Sequence, residues 1–168
     1  MSYYGSRYPL YYPQYISGYE KVKITTTTQT TTMEMEQLTR GIVIFGATGD
    51  LCKRKLIPAL HKLWEKDLLP NGFVITGAAR RDIGVKAWKE SLGNYPEDFM
   101  NILDYVSCDL SNQESLNHLP ETDDTTYFLS VPPERYEWAI INLKQGALLD
   151  DPETTNVVIE KAFPYHFQ

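Results

Sequence analysis

The sequence predicts an α/β fold: a doubly wound parallel sheet of about five strands with helices on both faces. Three observations carry that expectation. Short apolar runs bounded by turn residues recur from Gly41 onward, as strands buried on both faces require. Segments with Leu and Trp at helical spacing separate them, so each strand is followed by a crossover that returns the chain for parallel pairing. The first run ends at Gly46 and Gly49, at the carboxyl end of a strand, where open α/β sheets bind their ligands.

The elements follow in order. Residues 1–40 differ from the rest: "MSYYGSRYPLYYPQYISGYE" holds seven of the twelve tyrosines, and "KVKITTTTQTTTMEMEQLTR" is Thr-rich. Too few large aliphatics are present for a core, so this part reads as a flexible extension with one strand over residues 21–32. Residues 41–168 form the domain. "GIVIFG" is a buried strand. "DLCKRKLIPALHKLWEKDLL" is a helix that Pro58 kinks or restarts. "FVITGAA" is the second strand, "VKAWKESLGNY" a helix, and "NILDYVSCDL" holds the third strand. "SNQESLNHL" reads as a short helix with Ser111 as cap and Glu114 three residues on. "TTYFLSVPP" is the fourth strand, "ERYEWAIINLKQGALL" a helix and "TNVVIEKAF" the fifth strand.

Composition removes several functions. A net charge of −6 argues against a nucleic-acid binder, which needs clustered cations. No apolar run reaches the roughly 18 residues of a membrane span, and no basic stretch precedes an apolar one as in a signal peptide. Cys52 and Cys108 are far apart and show no metal-ligand spacing. They read as free thiols of a reducing, cytoplasmic compartment.

The glycine turn is the chemical centre. Gly46 allows a sharp bend, and Gly49 opens the helix without a side chain that would block an anion from its N-terminus. Thr48 adds a hydroxyl, and Lys53 and Arg54 add charge. Only the G-x-x-G part of the dinucleotide fingerprint is present, so a plain structural turn remains the alternative. After the second strand stand Arg80 and Arg81, where many such folds carry an acid for the ribose 2′-hydroxyl. Cations there suit a 2′-phosphate and hence NADP; Asp82 keeps NAD open.

With these motifs in order, the chain resembles the glucose-6-phosphate dehydrogenase family over its N-terminal, Rossmann-type NAD(P)-binding domain. The resemblance rests on "IFGATGDLCKRKLIPALHKLWEKDLLP", "VITGAARR", "YFLSVPPERYEWAIINL" and "NVVIEKAF". It implies that Gly46, Ala47, Thr48, Gly49, Asp50, Leu51, Cys52 and Lys53 cradle the NADP pyrophosphate. It further implies that Arg80 meets the 2′-phosphate, that Tyr136 lines the nicotinamide side, and that Lys161 touches coenzyme and sugar phosphate. The implied reaction is NADP-dependent oxidation of D-glucose 6-phosphate to 6-phosphogluconolactone in the oxidative pentose phosphate pathway.

The sequence departs from that family in two ways. Ala162 and Pro164 flank Phe163, where the family has E-K-P-F-G. The family's H-Y-L-G-K segment, catalytic His and second α+β domain have no counterpart, so no catalytic residue is assigned and the chain alone is expected to be inactive. His61, His118 and His166 are the only histidines, and none sits in the family's catalytic motif. Two readings result. One is a coenzyme domain that a second polypeptide completes, as a homo- or hetero-oligomer. The other is a non-catalytic NADP-binding or partner-binding module, which the Tyr-rich extension favours.

Overall fold

The computed structural model describes residues 20–27 and 30–160, with side-chain surroundings from Leu38 onward. The Tyr-rich stretch up to Tyr19, Lys161 and His166 lie outside the described residues. The chain begins with two antiparallel strands, β1 (Glu20–Thr27) and β2 (Thr30–Gln37), with Glu20 opposite Gln37 and Thr27 opposite Thr30. The one strand expected over residues 21–32 is therefore two. The β-branched threonines favour extended backbone throughout, so composition alone does not reveal where the chain reverses.

The main sheet contains β3 (Arg40–Phe45), β4 (Val74–Ala79), β5 (Leu103–Ser107), β6 (Asp124–Leu129) and β7 (Thr155–Ile159). Its order is β5-β4-β3-β6-β7, and every neighbouring pair is parallel. From β3 the chain moves outward through β4 and β5, then crosses back to the other side of β3. This is the expected doubly wound sheet, and the order reverses between β3 and β6.

Successive residues of β3 serve opposite faces, as the period of a strand requires. Ile44 packs with Ile57, Trp88 and Phe99, while Val43 and Phe45 pack with Leu129, Ala139 and Leu143. The first face is covered by α1 (Ile57–Glu65), α2 (Gly84–Leu92) and α3 (Glu97–Asn101). The second is covered by α4 (Gln113–Leu116) and α5 (Tyr136–Gln145). Neither cover extends fully over β7, where Val157 and Val158 are 36% and 39% exposed. The expectation that every strand is buried on both faces fails there because β7 is an edge.

Three local departures have physical causes. Pro58 does not interrupt the helix, which runs on from Asp50 through a π-helical turn at Cys52–Leu56 into α1, with Pro58 in the first turn of α1. Proline has no N–H and its ring clashes with the carbonyl four residues back, so a widened turn ahead of it relieves both conflicts. The cap of α4 is Asn112, whose side chain accepts from the Glu114 N–H at 3.0 Å. Ser111 instead donates to Asp109. The short helix α3 was not expected; its signals are Pro96 before it and Glu97 and Asp98 in its first turn.

Candidate coenzyme cleft

The end of β3 is held to the end of β4 by two hydrogen bonds. The amides of Gly46 and Ala47 both donate to the Ala78 carbonyl, at 2.9 and 3.2 Å. The Gly49 amide donates to the Gly46 carbonyl at 2.9 Å, closing the turn. Gly46 has φ +84°, and a Cβ there would lie 2.2 Å from the Ser130 carbonyl oxygen. Glycine is therefore required twice over, by conformation and by the backbone leaving β6. The turn uses the amides of Gly46, Ala47 and Gly49 for itself, so an anion would be met by the later amides at the helix start, which lack intrahelical partners by geometry.

A residue outside the motif sets the turn's height. Trp88 of α2 is fully buried, and its Nε1–H donates to the Ala47 carbonyl at 3.0 Å. The ring fits only because residue 77 is glycine: a Cβ there would lie 2.5 Å from the Trp88 ring and 2.9 Å from the Ala47 Cβ. The only sequence signals are a glycine inside a strand and a tryptophan in the following helix, a pairing that points to close approach after the fact.

A cavity of about 500 Å³ opens above these strand ends. Its floor is Gly46, Thr48 and Gly49; one wall is Arg80 and Arg81 after β4, followed by Asp109 and Leu110 after β5. The opposite wall is Ser130, Val131 and Pro132 after β6, with Arg135 and Trp138 from the start of the next helix. The two arginines are tethered through their backbones. Tyr105 donates its hydroxyl to the Arg81 carbonyl, and Ser107 donates to the Arg80 carbonyl at 3.4 Å. Their side chains are exposed and line the cavity.

Asp109 accepts two hydrogen bonds from Ser111, from the amide at 3.0 Å and from the hydroxyl at 2.7 Å. These bonds, with smaller contributions from Arg80 and Arg135, hold its carboxyl below the usual Asp range. Cys108 beside it is buried, and burial pushes its thiol up despite the Ser115 hydroxyl.

The expected site residues divide into groups. Gly46, Thr48, Gly49 and Arg80 line the cavity. Ala47 and Cys52 are fully buried beneath it, and burial drives the Cys52 thiol up to about 12 against the opposing pull of Lys53. Asp50 is 81% exposed and pairs with Arg54 at 3.6 Å, a surface ion pair of small consequence. Leu51 and Lys53 are half-buried. Tyr136, expected on the nicotinamide side, is 1% exposed and belongs to the core with Phe45 and Leu143. From that part of the chain Arg135 and Trp138 reach the cavity instead. His61 lies away from the cleft, stacked on Trp64 and in tilted and edge-on contact with Tyr95 and Phe99, with its Nδ1 3.8 Å from Glu65. His118 is on the loop that leads to the start of β6, on the amino-end side of the sheet, whereas the cleft is at the carboxyl ends.

Comparison with known proteins shows the family and the fold. Residues 43–168 match the family model described as the NAD binding domain of glucose-6-phosphate dehydrogenase. The glucose-6-phosphate 1-dehydrogenase of Borreliella burgdorferi is 33% identical over 135 residues, covering 73% of this chain and 28% of that protein. That of Aggregatibacter actinomycetemcomitans is 32% identical over 147 residues, covering 74% and 30%. The crystal structure of the Mycobacterium avium enzyme superimposes with a TM-score of 0.63 at 25% identity, covering 76% of this chain and 31% of that one. A glucose-6-phosphate dehydrogenase in complex with glucose 6-phosphate has a TM-score of 0.64 at 23% identity, which speaks to the fold alone. The chain spans less than a third of the length of each of these proteins.

Proposed function

This chain belongs to the family of the glucose-6-phosphate dehydrogenase NAD binding domain, and from that membership we propose that its cleft binds a nicotinamide dinucleotide, NADP in preference to NAD. The observation that carries the reading is a glycine turn at the reversal of strand order with two tethered arginines beside it. The residues suit the group: Gly49 presents no side chain at the helix start, and the cavity of about 500 Å³ is of ligand size. Thr48 and the helix start would hold the pyrophosphate, and Arg80 with Arg81 the 2′-phosphate. Gly46 through Lys53 remains the proposed cradle, with Ala47, Leu51 and Cys52 supporting it from below and Asp50 and Lys53 at its outer side. Lys161 is proposed to touch both coenzyme and sugar phosphate, and Tyr136 to bear on the nicotinamide side through the helix start it anchors.

A bound coenzyme would supply the acceptor for the hydride that leaves C1 of a sugar while the C1 hydroxyl gives up its proton to a base. In the complete enzyme that hydroxyl is proposed to belong to D-glucose 6-phosphate, giving 6-phosphogluconolactone. Such a step needs a base within reach of the hydroxyl. Among the described residues, His61 sits in an aromatic cluster and His118 on the loop before β6, at the end of the sheet opposite the cleft. We therefore expect coenzyme binding without turnover from this chain alone, and full activity only with a polypeptide that supplies base and sugar site. The same positions of His61 and His118 favour the second reading, a module that binds coenzyme or a partner without catalysis. The two unpaired, buried thiols suit a reducing compartment, the cytoplasm.

Titration calorimetry with NADP and NAD tests the proposal. NADP is expected to bind at least about tenfold tighter, because charge-assisted bonds to the 2′-phosphate are the difference between the two. Arg80→Ala is expected to remove most of that gap while leaving NAD binding unchanged. Equal affinities in the unaltered chain would overturn the NADP preference. NADPH formation by the purified chain with glucose 6-phosphate would overturn the expected inactivity.

A further inference from the structure

Among the described residues, β1 and β2 pair only with each other. They stand before Val43, where the family match begins. Two strands are too few for a sheet that is stable alone; three or more with an apolar face are needed. Each strand also has an outer edge of N–H and C=O groups that can template another strand. The register sorts the residues by face. Val22 lies opposite Met35 and Ile24 opposite Met33, so one face collects these four apolar residues. Lys21 lies opposite Glu36 and Lys23 opposite Glu34, on the other face. The charges of that face are split by strand, with both lysines on β1 and both glutamates on β2. Glu20, the acid of β1, falls on the apolar face at the strand's end, opposite Gln37. One edge of the hairpin is therefore basic and the other acidic.

We propose that a second copy of this chain docks on the hairpin by strand addition, the β1 edge of one copy along the β2 edge of the other. Continuing the hairpin's own antiparallel register across the junction sets Lys21 beside Glu36 of the second copy, and Lys23 beside Glu34. At the junction each lysine then has a glutamate on both sides. The apolar residues extend into a band across four strands, which meets the number a lone hairpin lacks. Charge disfavours the pairing of like edges. An antiparallel β1–β1 pair centred on Val22 sets Lys21 opposite Lys23, and a β2–β2 pair centred on Met35 sets Glu34 opposite Glu36. Like charges directly opposite destabilise a sheet. Because a basic edge meets an acidic one, every added copy leaves one edge of each kind free. The contact is heterologous and repeats instead of closing at two copies.

Sedimentation velocity on the full chain tests this, with Val157→Lys in every sample to quiet the β7 edge. This parent is expected to form species that grow past the dimer as concentration rises, and hydrogen exchange at residues 20–37 is expected to slow with them. One variant adds Lys21→Glu and Lys23→Glu, which makes both edges acidic. Another adds Glu34→Lys and Glu36→Lys, which makes both edges basic. Each alone is expected to associate at least about tenfold more weakly, because two attractive cross-strand pairs per junction become repulsive. An equimolar mixture of the two is expected to recover association that neither shows alone, a rescue that a role confined to folding of the single hairpin would not give. A parent that stays monomeric, stops at the dimer or slows its exchange only outside residues 20–37 overturns the proposal. So do variants that associate as tightly as the parent, or a mixture no more associated than its components. Where a variant does not fold, the exchange measurement on the parent decides.

Discussion

Gly46 carries two constraints that no other residue satisfies together, a left-handed φ of +84° and a backbone oxygen 2.2 Å from where a Cβ would stand. Gly46→Ala is expected to cost at least about 2 kcal/mol, since strain and overlap with backbone add rather than substitute. Thermal unfolding by circular dichroism measures it, and an unchanged midpoint would mean the turn relaxes freely. Cys52 makes a second case. Its thiol is shifted by burial from 9.0 to about 12, so at pH 8 it should resist a thiol reagent until the chain unfolds. The linkage has a definite sign. Below pH 9.0 both states hold the proton and the contribution is whole; between 9.0 and about 12 only the unfolded thiol ionises, so stability falls as pH rises. Denaturant titrations at pH 8 and pH 10.5 should show that decline, and Cys52→Ala should flatten it.

Among elements, the unit that builds the cleft is β3, its glycine turn and the helix after it, and it is clamped from α2. Trp88→Phe preserves most of the packing and removes the bond to the Ala47 carbonyl. It should destabilise by about 1 kcal/mol, the usual net worth of such a bond, with a larger penalty if the carbonyl stays buried and unpaired. Coenzyme affinity should fall as well, because the turn loses its support; unchanged affinity would detach Trp88 from the site. The five main strands were legible in the sequence because short apolar runs between turn residues have few other interpretations. The exact start of α4 was not, since Ser111 and Asn112 are both competent caps and only the pull of Asp109 on Ser111 decides between them. The strand reversal inside the Thr-rich segment was equally hidden, because threonine favours strand on either side of a turn.

For the molecule as a whole, the order β5-β4-β3-β6-β7 places the outer edge of β7 beside no strand among the described residues. With Val157 and Val158 partly exposed, such an edge offers backbone groups and apolar surface to another chain. The isolated chain is expected to self-associate as its concentration rises, and Val157→Lys to reduce that tendency. A single monomeric boundary in sedimentation velocity across a wide concentration range would refute it. Part of the site was legible at this scale too. A strand, a glycine turn and paired arginines announce an anion cleft, because each acts through backbone permissiveness or charge that survives without neighbours. That Asp109, Arg135 and Trp138 meet in the cleft was not legible, since they come from separate segments that only the crossovers bring together.

The sequence by itself determined the alternation of strands and helices, the glycine turn after the first strand and the arginines after the second. Periodicity, glycine permissiveness and charge are local properties, and they read directly from neighbouring residues. The tertiary structure alone decided that Tyr136 is core while Trp138 faces the cleft, that Trp88 bonds the Ala47 carbonyl, and that β7 is an incompletely covered edge. Those outcomes depend on which segments share space. Residues far apart in sequence compete for that space through packing and hydrogen bonding, and linear spacing does not encode the winner.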